Sequence, residues 1–213
     1  MAIRIRQHVN PLESKFQQPI PIPVWQEVYA KSDRPIHLDI GCARGKFLLD
    51  MAQQHPETNF LGIEIRKPLV EYADRAKNEL GLTNLHYLFG NINSSAESLL
   101  SSLPKDSLKT ISVQFPDPWF KKKHHKRRVI QPELVTILVD YLTLKGRVFL
   151  QSDIEEVAVA MRDRFANNPK LIQQHSTWLD TNPLPVPTER ELYVLEQNLP
   201  VYRALFVKAK DED

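Results

Sequence analysis

The 213-residue chain holds one cysteine, Cys42, so no disulfide can form within it, which fits a reducing compartment. No apolar run approaches the ~20 residues that a membrane-spanning helix needs. The first ten residues, Met1 to Asn10, carry two arginines but no apolar core segment. No secretory signal is expected there, and the cytoplasm is the expected location. The sequence also lacks a GxGxxG fingerprint, which disfavours a dinucleotide cradle and with it a nicotinamide-dependent oxidoreductase. His124 and His125 have no metal-ligand spacing with other His, Cys or acid clusters, so no metal is expected. Charge of neither sign dominates, because the formal net charge is only +2.

That near-neutrality hides a concentration. Lys121, Lys122, Lys123, Lys126, Arg127 and Arg128 stand within the stretch FPDPWFKKKHHKRR, residues 115–128. A local cluster of this kind steers an anionic partner without making the whole protein basic, although by itself it also reads as a solvated face. Just before it, Pro116 and Pro118 hold a single acid, Asp117, and the aromatic pair Trp119 and Phe120 follows. A rigid carboxylate beside an aromatic-edged basic loop suits a polyanion carrying a base to be read.

Hydrophobic content of 42% and charged content of 25% are ordinary for a globular chain of one domain with a small appendage. Residues 1–35 hold five of the sixteen prolines, including the alternation Pro19-Ile20-Pro21-Ile22-Pro23. Such a segment is neither helix nor central strand. It reads as an arm over 1–34, with a short helix near Val24 to Lys31, serving as a tether or reaching a partner. Over 35–213 the pattern becomes regular. Short apolar strands are expected at 36–40, 59–64, 84–89, 109–115 and 146–151, with helical spacing between them. Two further strands are expected near 193–196 and 202–208, after a proline-rich loop at 182–188. The alternation predicts an α/β, doubly wound, mostly parallel sheet with an antiparallel C-terminal edge.

Ligands of such sheets bind beyond the carboxyl ends of the strands. The residues found there are Asp39 with the turn Gly41 to Gly45, Glu64, Asn91, Asp117 and Asp153. Glycines let the backbone approach a ligand closely. Glu64 can accept from both ribose hydroxyls, and Asn91, with Asn93 an equal candidate, can pair with an adenine edge. This set suits a nucleoside cofactor without a diphosphate, such as S-adenosylmethionine, whose amino acid end would lie near Asp39.

The motifs LDIGCARGKF, FLGIEI, VQFPDPWFKKKHHKRR, LQSD and PTERE resemble those of the bacterial tRNA (guanine-N7)-methyltransferases, a class I, Rossmann-like family. The resemblance runs from about Pro35 to Lys208. It implies transfer of a methyl group from S-adenosylmethionine to N7 of a guanine in the variable region of tRNA. It implies a cofactor site of Asp39, Gly41, Gly45, Glu64, Asn91 and Asp117, with Asp117 catalytic. It also implies substrate contacts from Lys121, Asp153, Thr188, Glu189, Arg190 and Glu191. Lys122, Lys123, Lys126, Arg127 and Arg128 are the expected phosphate contacts. The residue matching Asn91 is often aspartate in the family, and the proline-rich arm lies outside the shared core. Guanine N7 carries a lone pair and no proton, so Asp117 is expected to hold guanine and stabilise developing positive charge rather than act as a base. A competing reading is a non-catalytic RNA-binding protein on a degenerate methyltransferase fold. Monomer and homodimer both remain open.

Overall fold

Strand β1 (Ile36–Ile40) is buried along its whole length, polar His37 and Asp39 included. A central parallel strand covered on both faces has no solvent side to alternate with. It pairs in parallel with β2 (Asn59–Glu64) on one side and β4 (Leu108–Gln114) on the other. β3 (Leu85–Phe89) lies beyond β2, and β5 (Arg147–Ser152) beyond β4. In this structure, a computed structural model that describes residues 9–209, β6 (Leu171–Gln173) and β7 (Tyr202–Lys208) complete a seven-stranded sheet of order β3-β2-β1-β4-β5-β7-β6. Residues 1–8 of the expected arm and 210–213 of the expected domain lie outside the described residues. The chain steps outward from β1 to β3 and then crosses back to β4. The strand order therefore reverses between β1 and β4, and the crevice above that reversal is where such sheets bind ligands.

The crossovers are α2 (Lys46–Gln54), α3 (Lys67–Glu79), α4 (Ala96–Ser101), α5 (Pro132–Tyr141) and α6 (Glu155–Ala166). Phe47, Leu48, Phe60, Val70 and Tyr87 pack as one cluster between α2, α3 and the sheet. Leu38, Ile111, Val113, Leu134, Leu138 and Phe206 belong to a second cluster, which also takes in Ile20, Trp25 and Tyr29. The last two come from the expected short helix, α1 (Trp25–Val28), and its edge.

The C-terminal region departs from expectation in two elements. Residues 193–196 are not a strand; they end helix α7 (Glu189–Glu196). Thr188 caps it, its Oγ1 accepting from the Glu191 backbone N–H at 3.1 Å. A Thr with Glu three residues on is a helix-start signal, and only Val194 and Glu191 of this helix are buried. The antiparallel edge is instead made by β7 (Tyr202–Lys208), paired with β5, and by β6 (Leu171–Gln173) outside it. β6 escapes a sequence reading because it has three residues, of which only Leu171 is buried.

Candidate active site

The turn after β1 is held by Gly41 N–H and Cys42 N–H, which donate to Ile63 O at 2.8 and 3.2 Å. Gly41 has φ +85°, and a Cβ there would meet no atom within 4 Å, so its open side faces the crevice. Gly45 has a different reason for being glycine. At φ +72° its missing side chain is replaced by the Tyr87 ring, whose hydroxyl donates to Gly45 O at 2.8 Å.

Asp39 is 4% exposed. Its Oδ1 accepts from Ser112 Oγ at 2.6 Å and Gln114 Nε2 at 3.2 Å. Burial pushes its pKa up to about 6; the two hydrogen bonds oppose that shift and the Glu64 charge adds to it. Behind it, burial and the charge of His55 lower His37 to about 3. Ser112 gives its single proton to Asp39, so His37 Nε2 is the donor to Ser112 Oγ, at 2.8 Å.

Glu64 is 2% exposed, and four donors surround its carboxylate. Oε1 accepts from Arg66 N and Nε, both at 2.9 Å, and Oε2 from Ala43 N at 3.0 Å and Arg66 Nη2 at 3.1 Å. Burial works against the Arg66 charge, but hydrogen bonds and charge from Glu64, then the charge of Asp117, outweigh it and raise its pKa. A ribose diol reaches Glu64 only by displacing the guanidinium. Asn91, also buried, caps the next turn by accepting from Asn93 N–H at 3.1 Å, and donates Nδ2–H to Pro11 O at 3.3 Å. Asn93 sends its own amide elsewhere, to Val129 O at 2.9 Å.

Asp117 stands half-buried at the end of β4, bracketed by two residues in the left-handed region, Phe115 at φ +49° and Trp119 at φ +43°. Non-glycine residues rarely adopt this conformation. The double turn swings the Asp117 side chain to where two cavities meet. One, of about 210 Å³, is lined by Gly41, Glu64, Arg66, Asn91, Asp117, Trp119 and Arg127. The other, of about 710 Å³, is lined by Asp39, Arg44, Arg66, Asp117, Phe120, Asp153, Thr188, Glu189 and Arg190. Asp153 and Arg190, both lining the second cavity, form an ion pair that joins the end of β5 to α7.

The basic stretch splits. Lys121, Lys122, Lys123 and Lys126 are exposed on the turn over 121–127. Arg127 is half-buried, its guanidinium 5.0 Å from the Trp119 ring centre. Arg128 does not belong with the phosphate contacts. It is 6% exposed and donates to Pro118 O at 2.8 Å and Glu156 Oε1 at 2.6 Å, clamping the PDPW turn onto α6. The two aromatics also divide. Trp119 packs on His124 and Arg127, whereas Phe120 is 66% exposed at the second cavity.

Glu191, expected among substrate contacts, points inward and is 1% exposed. It accepts from Arg203 Nη2 at 2.8 Å, Gln151 Nε2 at 3.1 Å and Asn182 Nδ2 at 2.7 Å. Gln151 donates to Gln114 Oε1 at 2.8 Å, and Gln114 in turn to Asp39. A continuous buried chain thus runs from His37 and Asp39 through Ser112, Gln114, Gln151 and Arg203 to Glu191. Sequence reasoning named Asp39 and Glu191 but missed Gln114, Gln151 and Arg203, which join them. The available signal was the polar side chains inside apolar strands: Gln114 in ISVQF, Gln151 in VFLQS and Arg203 in YRALF.

Among the described residues no helix is long and apolar enough to cross a membrane, and no group of three or more His, Cys, Asp or Glu is placed to hold a metal ion.

Comparison with known proteins agrees with this architecture. The family profile Methyltransf_4, described as "Putative methyltransferase", matches residues 33–204. The tRNA (guanine-N(7)-)-methyltransferase of Microcystis aeruginosa is 57% identical over 205 residues, covering 96% of this chain and 97% of its own. That of Synechocystis sp. is 57% identical over 204 residues, covering 95% and 96%. Among solved structures, the 16S rRNA methyltransferase KamB superposes with a TM-score of 0.60 at 16% identity, over 89% of this chain and 95% of that one. An rRNA methylase from Streptococcus thermophilus gives 0.52 at 13%, over 86% and 91%. At such identities these structures speak for the fold alone. The matches to the cyanobacterial enzymes run along nearly the whole chain, and on them the protein belongs to the tRNA (guanine-N(7)-)-methyltransferase family.

Proposed function

We infer that this chain transfers a methyl group from S-adenosylmethionine to N7 of a guanine in tRNA, and that the guanine is the one in the variable region. The observation that carries the reading is the place of Asp117, at the meeting of one cavity edged by Glu64 and Asn91 and another edged by Phe120, Asp153 and Arg190. The donor set fits the cofactor: two buried carboxylates and an amide around an open glycine, with no diphosphate cradle. When bound, S-adenosylmethionine supplies an electrophilic methyl on a sulfonium.

The residues then divide the work. Asp39 and the Gly41 to Gly45 turn hold the amino acid end, Glu64 takes the ribose diol once Arg66 turns aside, and Asn91 meets the adenine. Asp117 accepts from the N1–H and N2–H edge of guanine, which selects it over adenine. The same carboxylate favours the positive charge that grows on the ring as N7 is alkylated. No proton leaves N7, so no base is required, and alignment is the main contribution, worth up to ~7–11 kcal/mol in the best oriented cases. Phe120 offers a stacking face. Lys121, Asp153, Thr188, Glu189 and Arg190 surround the nucleoside, and Glu191 anchors their segment from below. Lys122, Lys123 and Lys126 hold phosphates, with Arg127 at the edge. Because N7 lies in the deep, narrow major groove of A-form RNA, the target must be a loop base or one drawn from its stack.

The methyltransferase domain is proposed to span 35–213, with 1–34 an arm attached to it, working in the cytoplasm as a monomer or homodimer. The reading is tested by methyl transfer from labelled cofactor into unmodified tRNA; retention of cofactor binding without transfer to any tRNA would favour a binding protein on this fold.

A further inference from the structure

The cofactor-side cavity is not closed by the sheet. Its inner wall comes from strand ends, including Glu64 and Asn91; its outer wall comes from Val9, Pro11, Leu12 and Gln17 of the N-terminal arm. We propose that this arm segment is part of the cofactor site, the wall against which the adenosine end packs, and that Asn91 latches it. The proposal rests on reading that cavity as the seat of the adenosyl group.

The course of the arm is fixed by its own bonds. Glu13 N–H donates to Asn10 O at 3.2 Å and Gln17 Nε2 to Pro11 O at 2.6 Å, folding residues 10–17 into a closed turn with Phe16 buried beneath it. A second anchor follows. Ile20 is 3% exposed, its N–H donates to Ser95 Oγ at 2.8 Å, and its side chain fills the space where any Cβ on Gly90 would have to go. Both anchors, Asn91 for Pro11 and Gly90 with Ser95 for Ile20, lie on the connection that leaves β3 over the cavity. Pro19, Pro21 and Pro23 hold the next residues extended, so the turn cannot curl away from the rim.

The amide at residue 91 now has a chemical reason. It accepts from Asn93 N–H and donates to Pro11 O at once. A carboxylate keeps the first bond but sets its second oxygen against the Pro11 carbonyl, two acceptors with no proton between them. Leu12 is 45% exposed although it lines the cavity, so it presents apolar surface that a purine face would cover.

The test is calorimetric titration of S-adenosylhomocysteine into the full chain and into Leu12→Ser and Gln17→Ala. Both side chains are exposed, and unchanged melting temperatures will verify that the fold survives. Removing the apolar surface in Leu12→Ser is expected to weaken binding about five- to tenfold. Gln17→Ala, which frees the arm turn, is expected to weaken it as well. Asn91→Asp is expected to speed tryptic cleavage after Lys15. Wild-type binding with both arm variants within twofold of it would overturn the proposal and leave the cofactor reading standing. Failure of the wild type to bind would remove the reading of the cavity itself, and the arm's role with it.

Discussion

Asp39 and Glu64 are both buried carboxylates of the crevice, yet they are held by different partners. Glu64 has a guanidinium; Asp39 has only a hydroxyl and an amide, and its pKa rises to about 6. A cationic amino group binds the anionic form. Below pH 6 its binding must first expel a proton from Asp39, so affinity for S-adenosylhomocysteine should fall as pH drops from 7 to 5, by up to about tenfold per unit below the pKa. Asp39→Asn should bind more weakly at pH 7 and lose this dependence. A wild-type affinity flat over the same range would place the amino end elsewhere. At this scale the sequence is informative wherever a residue follows a strand directly. It is silent on partners: nothing in the string tells that Arg128 folds back onto Glu156 while Lys126 faces water, because burial of a cation depends on an acid 28 residues away.

The elements are legible in proportion to their length and periodicity. The five parallel strands and the helices between them follow from runs of five to seven apolar-rich residues. α7 is not, because its outward Leu192, Tyr193 and Leu195 imitate a strand and its cap, Thr188, follows directly on a proline-rich loop. That helix is fastened to the sheet by the polar chain through Gln151 and Arg203. Gln151→Leu takes away the partner of the Arg203 Nε–H and of Gln114 Oε1, and each buried unsatisfied group costs about 1–3 kcal/mol. Urea unfolding should therefore show a decrease of about 2 kcal/mol or more, with methyl transfer reduced because the substrate segment loosens. Thr188→Ala, which removes the helix cap, should cost about 1 kcal/mol of stability. A Gln151→Leu protein as stable and active as the wild type would mean that the chain of amides is incidental.

For the whole molecule, the charge distribution outweighs the charge total. Lys121, Lys122, Lys123 and Lys126 are all exposed on the turn that follows Asp117 in the chain. If they hold tRNA phosphates, replacing all four by alanine should flatten the plot of log affinity against log salt by roughly 0.7–0.9 for each phosphate no longer neutralised. Arg128→Ala should lower stability and leave that slope alone. An unchanged slope in the lysine variant would remove the loop from the RNA interface. The central claim, that Asp117 directs a methyl group to guanine N7 in tRNA, is tested most directly by one experiment. Labelled S-adenosylmethionine is incubated with unmodified bulk tRNA and either the wild-type chain or Asp117→Asn, and the digested nucleosides are separated. The account predicts label in 7-methylguanosine, reduced about a hundredfold or more in the variant. Label in another nucleoside, or equal label from the variant, would contradict it.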